Sequence, residues 1–245
     1  MTLAAPAADL LQGIDLVVFD KDGTLIDFQR MWRGWVQALA ADLEERIGRP
    51  FEAELLELMG VDPGTGVVHP HGLLAATPMA RIREAVFAAL LEARVSGPRA
   101  AIALAEAWHA PDPVALAHPV TDLVDLLGAL QASGRRVAVV TSDDRGPTER
   151  TLRTLGVEQF VDAIACADDG RPSKPAPDGV HHVCAMTGVP AARTLVVGDA
   201  PADLQMGRNA GAGRVVGVLT GVGDAAVLAP LCDAVVPSIA SLRPE

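Results

Sequence analysis

The chain has 245 residues, a formal net charge of −11, and hydrophobic side chains at half of its positions. This length allows one large domain or two modest ones. The acidic balance argues against nucleic acid or an anionic membrane as a partner, because both require a basic surface. No apolar run approaches the roughly 18 residues that span a bilayer, and we expect no signal peptide. Three scattered cysteines without CxxC spacing indicate free, buried thiols in a reducing cytoplasm.

Short apolar runs alternate with helical patterns over most of the chain, which is typical of βαβ units. The runs are rich in valine and almost continuously apolar, as expected for parallel strands that are covered on both faces. They predict strands at 15–19, 136–141, 163–166, 194–198, 214–219 and 234–236. Between them lie predicted helices such as TDLVDLLGALQAS, with Thr121 as its N-cap and Gly134 at its end.

From about residue 28 to residue 118 the pattern changes to helices alone. The first of these helices places six apolar residues on one face at three-to-four spacing: Trp32, Trp35, Val36, Leu39, Leu43 and Ile47. Further helices are predicted at about 51–59, 78–94 and 98–109. The sequence therefore predicts an α/β fold, with a doubly wound (Rossmann-like) parallel sheet in residues 1–27 and 118–245. An α-helical cap domain at 28–117 is inserted after the first strand, and we expect it to close over the carboxyl edge of the sheet.

The stretch DLVVFDKDGTLIDF places Asp20 and Asp22 directly after the first strand. In an extended chain, residues i and i+2 point to the same side, so both carboxylates are expected to face one crevice while Lys21 points elsewhere. Two such charges about 4 Å apart repel by roughly 4 kcal/mol at an effective dielectric of 20. Either one acid keeps its proton or a cation joins them. An Asp-Gly turn with solvated acids is the plainer alternative.

Other predicted strand ends carry matching polar groups. Thr141 and Ser142 follow the second strand, Asp199 and Asp203 follow the fourth, and Lys174 lies in a loop before a proline. Each has an ordinary explanation when taken alone, as an end-of-strand threonine, a loop lysine or a helix-start aspartate. Because ligands bind beyond the carboxyl ends of such strands, the groups together predict one site. Clustered carboxylates suit a hard cation such as Mg²⁺, which keeps its waters for a phosphate.

In this order the motifs resemble those of the haloacid dehalogenase-like (HAD) hydrolase superfamily. The resemblance is to its phosphatase branch with a helical cap after the first motif, and to phosphoglycolate phosphatases within it. It covers nearly the full chain: residues 20–24 (DKDGT) match the first motif, Thr141 the second, Lys174 the third, and Asp199 with Asp203 the fourth. Two positions depart from the pattern, since Ser142 stands where many relatives have Asn, and Ala200 where Ser or Thr is common.

The resemblance implies a role for each matched residue. Asp20 is the nucleophile that forms an aspartyl-phosphate, and Asp22 protonates the leaving oxygen and then activates water. Thr141 hydrogen-bonds the phosphoryl oxygens, and Lys174 neutralises charge. Mg²⁺ is held by three groups and supported by a fourth residue: Asp20, Asp199 and the backbone carbonyl of Asp22, with Asp203 in support. The predicted substrate-binding residues are Gly23, Thr24 and Ser142.

The implied function is Mg²⁺-dependent hydrolysis of a small phosphorylated metabolite, with phosphoglycolate-like esters as the first expectation. A sugar phosphomutase of the same superfamily stays open, because it would keep both acids of the first motif. Such mutases usually have valine where Thr24 stands, which favours hydrolysis. A non-catalytic phosphate-binding regulatory module is the alternative from another class.

Overall fold

The computed structural model describes residues 7–64, 67–69, 72–76, 79–109 and 114–244. Its strands are β1 Leu16–Phe19, β2 Arg136–Val140, β3 Ala163–Ala165, β4 Thr194–Gly198, β5 Arg214–Val218 and β6 Ala234–Val236. They form one parallel sheet in the order β3-β2-β1-β4-β5-β6. Each predicted strand is found, within one residue at either end.

The strand β1 lies at the centre of this sheet. Val17 is in register with Val137 of β2 on one side and with Leu195 of β4 on the other. All four residues of β1 are buried, which explains why its sequence is apolar without alternation. The strand order reverses between β1 and β4, and in doubly wound sheets the crevice beyond this point is where ligands bind.

Helices cover the sheet. Those of the sheet-bearing part are α1 Ala7–Leu11, α7 Leu123–Ala132, α8 Arg145–Thr154, α9 Asp178–Thr187, α10 Pro201–Asn209 and α11 Ala225–Leu228. Helix α9 packs against β2 and β3, and α10 packs against β4 and β5. The N-cap of α7 is Asp122 rather than the predicted Thr121, because the Asp122 side chain accepts a 3.0 Å hydrogen bond from the Asp125 amide.

The described residues of the inserted segment form an isolated bridge between Val61 and Val68 and the helices α2 Phe28–Ile47, α3 Glu52–Met59, α4 Leu73–Ala76, α5 Met79–Glu92 and α6 Gly97–Ala107. Five of the six residues predicted on the apolar face of α2 are buried, and Trp32 is half-buried. Trp35 makes edge-to-face contacts with Trp32 and Trp108, and its indole N–H donates to the His109 carbonyl at 2.9 Å. Helix α5 packs against both α3 and α6.

The chain divides into two compact units, Met1–Phe28 with Ala117–Glu245 and Gln29–Leu116. The segments that leave and re-enter the first unit lie side by side, because Ile26 pairs with Pro119 and the Asp27 amide donates to the His118 carbonyl at 2.8 Å. The predicted fold class, a parallel α/β sheet with helices inserted after the first strand, is confirmed.

Two further sequence predictions concern membrane-spanning helices and the state of the cysteines. None of the described helices combines the length and apolarity that crossing a bilayer requires. The cysteines are free thiols, as predicted; Cys166 and Cys184 are buried, and Cys232 is half-buried.

Candidate active site

The predicted site residues follow the strands of one sheet edge. Asp20 comes directly after β1, Thr141 after β2 and Asp199 after β4, and Asp203 lies in the first turn of α10. Lys174 lies in a turn between β3 and α9. Because all strands are parallel, their carboxyl ends meet at this edge, and the structure brings these side chains together there.

Three buried aspartates form an acidic cluster. One carboxylate oxygen from each of Asp20, Asp199 and Asp203 lies within 4.8 Å of the others. In the described part of the chain, the side chain of Asp22 is not a member of this cluster. The predicted use of Asp22 as a metal ligand concerns its backbone carbonyl, and that part stays a prediction.

Lys174 supplies the positive charge next to the acidic cluster. Its Nζ atom lies 2.5 Å from Oδ1 of Asp20 and 2.7 Å from Oδ1 of Asp203, and its side chain is only 8% exposed. Burial alone would lower the pKa of Lys174, but the charges of Asp20 and Asp203 outweigh burial and raise it. The lysine therefore stays charged and joins the first and fourth motifs.

One ammonium group does not balance three carboxylates. Burial raises the pKa of Asp20 well above its usual value; Lys174 opposes the shift, and the charges of Asp203 and Asp199 add to it. Burial, reinforced by the charge of Asp203, raises the pKa of Asp199 to about 7. Three carboxylates beside one ammonium group leave an excess of negative charge, which a bound cation would offset.

Asp199 is held by the loop that follows β5. The Val222 amide donates to its Oδ2 atom at 2.8 Å, and the Gly223 amide donates to its backbone carbonyl at 3.0 Å. A Cβ atom at Gly221 would collide with the Asp199 carboxylate, so only glycine allows this approach. Sequence reasoning missed this loop, although the glycine-rich run LTGVGD directly after the fifth strand was a signal for it.

Gly23 and Thr24 also lie against Asp199. Gly23 has φ +90°, and a Cβ atom there would lie 2.5 Å from Oδ2 of Asp199. The buried Thr24 hydroxyl donates to Oδ1 of Asp199 at 3.4 Å. Both residues therefore shape the acidic cluster, and their predicted contact with substrate stays a prediction.

Asp203 links the start of α10 to the cluster. Its Oδ2 atom accepts a 3.1 Å hydrogen bond from the Ala200 amide at the helix N-terminus, while Oδ1 contacts Lys174. Gly198 at the end of β4 leaves room for this side chain, since a Cβ atom there would lie 2.7 Å from Cγ of Asp203. Asp203 therefore stabilises the helix start and also contacts the site lysine.

The prediction that Lys21 points away is wrong. Its side chain is 1% exposed, with Nζ 2.6 Å from Oδ1 of Asp22 and 3.0 Å from Oδ2 of Asp143. The alternation of an extended chain does not apply, because β1 ends at Phe19 and the chain turns: the Leu25 and Ile26 amides both donate to the Lys21 carbonyl.

Lys21 and Asp22 also affect each other's ionisation. Burial raises the pKa of Asp22, and Lys21 opposes that shift. Burial alone would lower the pKa of Lys21, but Asp22 and Asp143 outweigh it and raise that pKa. Lys21 is thus a charged lysine whose main partner is the second acid of the first motif.

Thr141 and Ser142 line a small pocket beside Lys174. Its other walls come from the loop after β3 and the turn before α9, including Cys166 and Ser173. Thr141 is buried and its Oγ1 atom accepts a 3.1 Å hydrogen bond from the Asp143 amide, which leaves the hydroxyl hydrogen available for another acceptor. Ser142 is exposed. The arrangement can therefore present a hydroxyl and an ammonium group to an anion.

Comparison with known proteins extends the motif-based resemblance. A family model for haloacid dehalogenase-like hydrolases matches residues 14–211. A phosphoglycolate phosphatase of Rhodospirillum rubrum is 32% identical over 200 residues, which cover 82% of this chain and 78% of the relative. A validoxylamine A 7'-phosphate phosphatase of Streptomyces hygroscopicus is 31% identical over 197 residues, which cover 80% of this chain and 82% of the relative.

A solved structure shows the same fold. It is an HAD family hydrolase of Deinococcus radiodurans with bound phosphate and sodium, and it superposes with a TM-score of 0.66 over 94% of each chain. Its sequence is 23% identical, so the likeness concerns the fold alone.

Proposed function

The chain belongs to the haloacid dehalogenase-like hydrolase family, and we propose that it is a Mg²⁺-dependent phosphomonoester hydrolase acting through an aspartyl-phosphate on Asp20. The observation that carries this proposal is the environment of Asp20. It is a buried carboxylate after the central strand, with an ammonium group 2.5 Å away and two further carboxylates beside it. Carboxylates in such settings form phosphoenzyme intermediates.

The first chemical step is transfer of the phosphoryl group to the protein. An oxygen of Asp20 forms a bond to phosphorus while the bond between phosphorus and the ester oxygen breaks, and the leaving oxygen takes the proton of Asp22. Lys174 fixes the attacking carboxylate and offsets charge on the phosphoryl group. The Thr141 hydroxyl donates to a phosphoryl oxygen. Positioning and charge neutralisation of this kind are the main demands of phosphoryl transfer.

The second step releases inorganic phosphate. The oxygen of a water molecule forms a bond to phosphorus, its proton passes to Asp22, and the bond between phosphorus and Asp20 breaks. Asp22 therefore has to hold a proton in one step and accept one in the next. Burial raises its pKa, so it keeps a proton to a higher pH than an ordinary aspartic acid, as a general acid requires.

The residues of the acidic cluster fit a Mg²⁺ ion. We propose that Asp20, Asp199 and the backbone carbonyl of Asp22 hold it, and that Asp203 supports the site. Mg²⁺ prefers oxygen ligands, and the three buried carboxylates carry more negative charge than Lys174 alone offsets. When bound, the ion supplies electrostatic stabilisation of the charged phosphoryl oxygens.

We propose a small phosphorylated metabolite as the substrate, with phosphoglycolate-like esters first. Two relatives support this, since they are named for phosphatase activity on phosphoglycolate and on validoxylamine A 7'-phosphate. Gly23, Thr24 and Ser142 remain proposed substrate contacts. The exposed Ser142 borders the pocket next to Lys174.

The test is phosphate release from p-nitrophenyl phosphate and from a panel of phosphomonoesters that includes phosphoglycolate, with Mg²⁺ and with EDTA. We expect turnover that requires Mg²⁺ and that Asp20→Asn abolishes. Asp125→Asn is the matched control, because Asp125 is half exposed and pairs with Arg243, and neither residue has a part in the proposed chemistry. This control should keep wild-type activity.

Two results would replace the proposal. Saturable phosphate binding without turnover of any ester would favour a regulatory module. Movement of phosphate between two positions of a sugar, without release to water, would favour a phosphomutase. Independently of activity, Mg²⁺ should raise the melting temperature of the wild type and leave that of Asp199→Asn nearly unchanged.

A further inference from the structure

Lys21 is a buried cation to which the proposed chemistry gives no part. Lysine is almost never fully buried unless it is paired, and Lys21 is paired twice, with Asp22 and with Asp143. Its two partners are 25% and 37% exposed, whereas Lys21 itself is 1% exposed. The ammonium group is therefore a fixed point to which two partly exposed carboxylates attach.

The two partners of Lys21 lie on different loops. Asp22 is in the turn after β1, and Asp143 is in the loop after β2. The Asp143 amide donates to the Thr141 hydroxyl oxygen at 3.1 Å, and the Asp143 carbonyl accepts from the Ala167 amide at 2.9 Å. The polar chain Asp22–Lys21–Asp143–Thr141 thus joins the proposed general acid to the proposed phosphate-binding hydroxyl.

We propose that Lys21 is a positioning residue that holds the carboxyl group of Asp22 in the orientation needed for proton transfer to the leaving oxygen. This inference rests on the proposed function. General acid catalysis requires the acid within hydrogen-bond reach of the oxygen that it protonates. The side chain of Asp22 is one-quarter exposed, and the 2.6 Å contact of its Oδ1 atom with the buried Lys21 ammonium group holds it in place.

The contact also indicates which oxygen of Asp22 carries the proton. Lys21 donates to Oδ1, and an oxygen that accepts from an ammonium group is the poorer site for a proton. The transferable proton is therefore on Oδ2. As the ester bond to phosphorus breaks, it passes to the leaving oxygen, and Lys21 keeps its own protons throughout.

A purely structural role for Lys21 predicts a different kinetic result from a positioning role. A loosened fold would slow all substrates alike. A misplaced general acid slows esters with basic leaving groups most, because stable leaving groups need little protonation. We therefore compare kcat/KM for phenyl, p-nitrophenyl and dinitrophenyl phosphate, whose phenols become stronger acids in that order. For a phosphoenzyme mechanism, kcat/KM reports the first chemical step.

The main variant is Lys21→Met, which keeps the length of the side chain and removes its charge. General acids contribute roughly 10²–10⁴-fold to rate, so we expect kcat/KM to fall roughly 100-fold for phenyl phosphate and less than about 5-fold for dinitrophenyl phosphate. Lys21→Arg should restore part of the activity with phenyl phosphate. Asp143→Asn removes one anchor of the lysine and should give a smaller loss with the same order of substrates.

The outcomes separate this inference from the proposed function. If the wild type hydrolyses no phosphomonoester with Mg²⁺, neither these three nor any of the panel above, the proposed function and the inference fail together. If the wild type is active and Lys21→Met loses the same factor with all three esters, or loses nothing, only the inference fails. Should Lys21→Met not fold, Asp143→Asn decides by the same comparison, and an equal loss for all three esters again overturns the inference.

Discussion

Gly221→Ala should weaken the proposed metal site, although Gly221 is not one of its proposed ligands. A Cβ atom there would lie 2.6 Å from the Cβ of Asp199 and closer still to its carboxylate. Ordinary contacts between carbon atoms are about 3.5–4.0 Å, so either Asp199 or the loop after β5 has to move by roughly 1 Å. Such a shift breaks the hydrogen bond from the Val222 amide to Asp199.

The size of the effect follows from these two contacts. Overpacking a filled site costs about 1–3 kcal/mol, and a hydrogen bond to a charged group contributes about 1.5–3 kcal/mol. One displacement relieves the clash and breaks the bond, so the two figures do not add. We expect Gly221→Ala to lower the free energy of unfolding by about 2 kcal/mol. Loss of a group that orients a metal ligand reduces metal affinity roughly 10–100-fold.

Calorimetric titration with Mg²⁺ and denaturant unfolding measure the two quantities separately. Gly34→Ala is the matched control: Gly34 is exposed in α2, and beyond the helix's own backbone no described atom lies within 4 Å of its Cβ position. That variant should be about 0.5–1 kcal/mol more stable than the wild type and should bind Mg²⁺ normally. If Gly221→Ala kept both the stability and the Mg²⁺ affinity of the wild type, the loop would not hold Asp199 as described.

Two further predictions concern charge. Lys174→Met leaves Asp20 and Asp203 without their ammonium partner, and breaking a buried pair costs about 3–5 kcal/mol. Denaturant unfolding in EDTA should show a loss of that size, partly restored by Mg²⁺; no loss would contradict the pairing. Burial alone would raise the pKa of Asp169, but hydrogen bonds from the Cys166 amide, Arg145 and Arg171 lower it to about 2. The stability that these bonds contribute is complete above the unfolded pKa of about 4 and is lost as pH falls towards 2. Because solvent screens the arginines, it is on the order of 1–2 kcal/mol. The melting temperatures of wild type and Asp169→Asn should therefore converge between about pH 5 and pH 2, and a constant gap would refute this linkage.

The sheet and the convergence of its loops were predictable from the sequence. A central parallel strand is buried on both faces, so runs such as Leu16–Phe19 have few other interpretations. Parallel strands also bring their carboxyl ends to one edge, which accounts for the meeting of Asp20, Thr141 and Asp199. The order of the strands was not predictable, because no local pattern shows that β1 lies between β2 and β4.

The details of the loops were less predictable, because each depends on atoms far away in the sequence. Gly221 is required only because Asp199 lies against it, and nothing in the spacing of LTGVGD shows which side chain its backbone approaches. The predicted direction of the Lys21 side chain depends on the alternation of an extended strand, but β1 ends at Phe19, two residues before Lys21. Once the chain turns after β1, successive side chains no longer alternate between two faces, so the position of Lys21 does not follow from that of Asp20.

The two acids of the first motif differ because each has its own lysine. The sequence predicts repulsion between Asp20 and Asp22, whereas the structure places Lys174 against Asp20 and Lys21 against Asp22. Around Lys174 there are three carboxylates, all buried, and water cannot offset their excess charge. Lys21 contacts two carboxylates, those of Asp22 and Asp143, and both are partly exposed. Water can therefore offset part of their charge. In the proposed mechanism the divalent cation therefore binds beside Asp20, and Asp22, paired with Lys21, carries the proton.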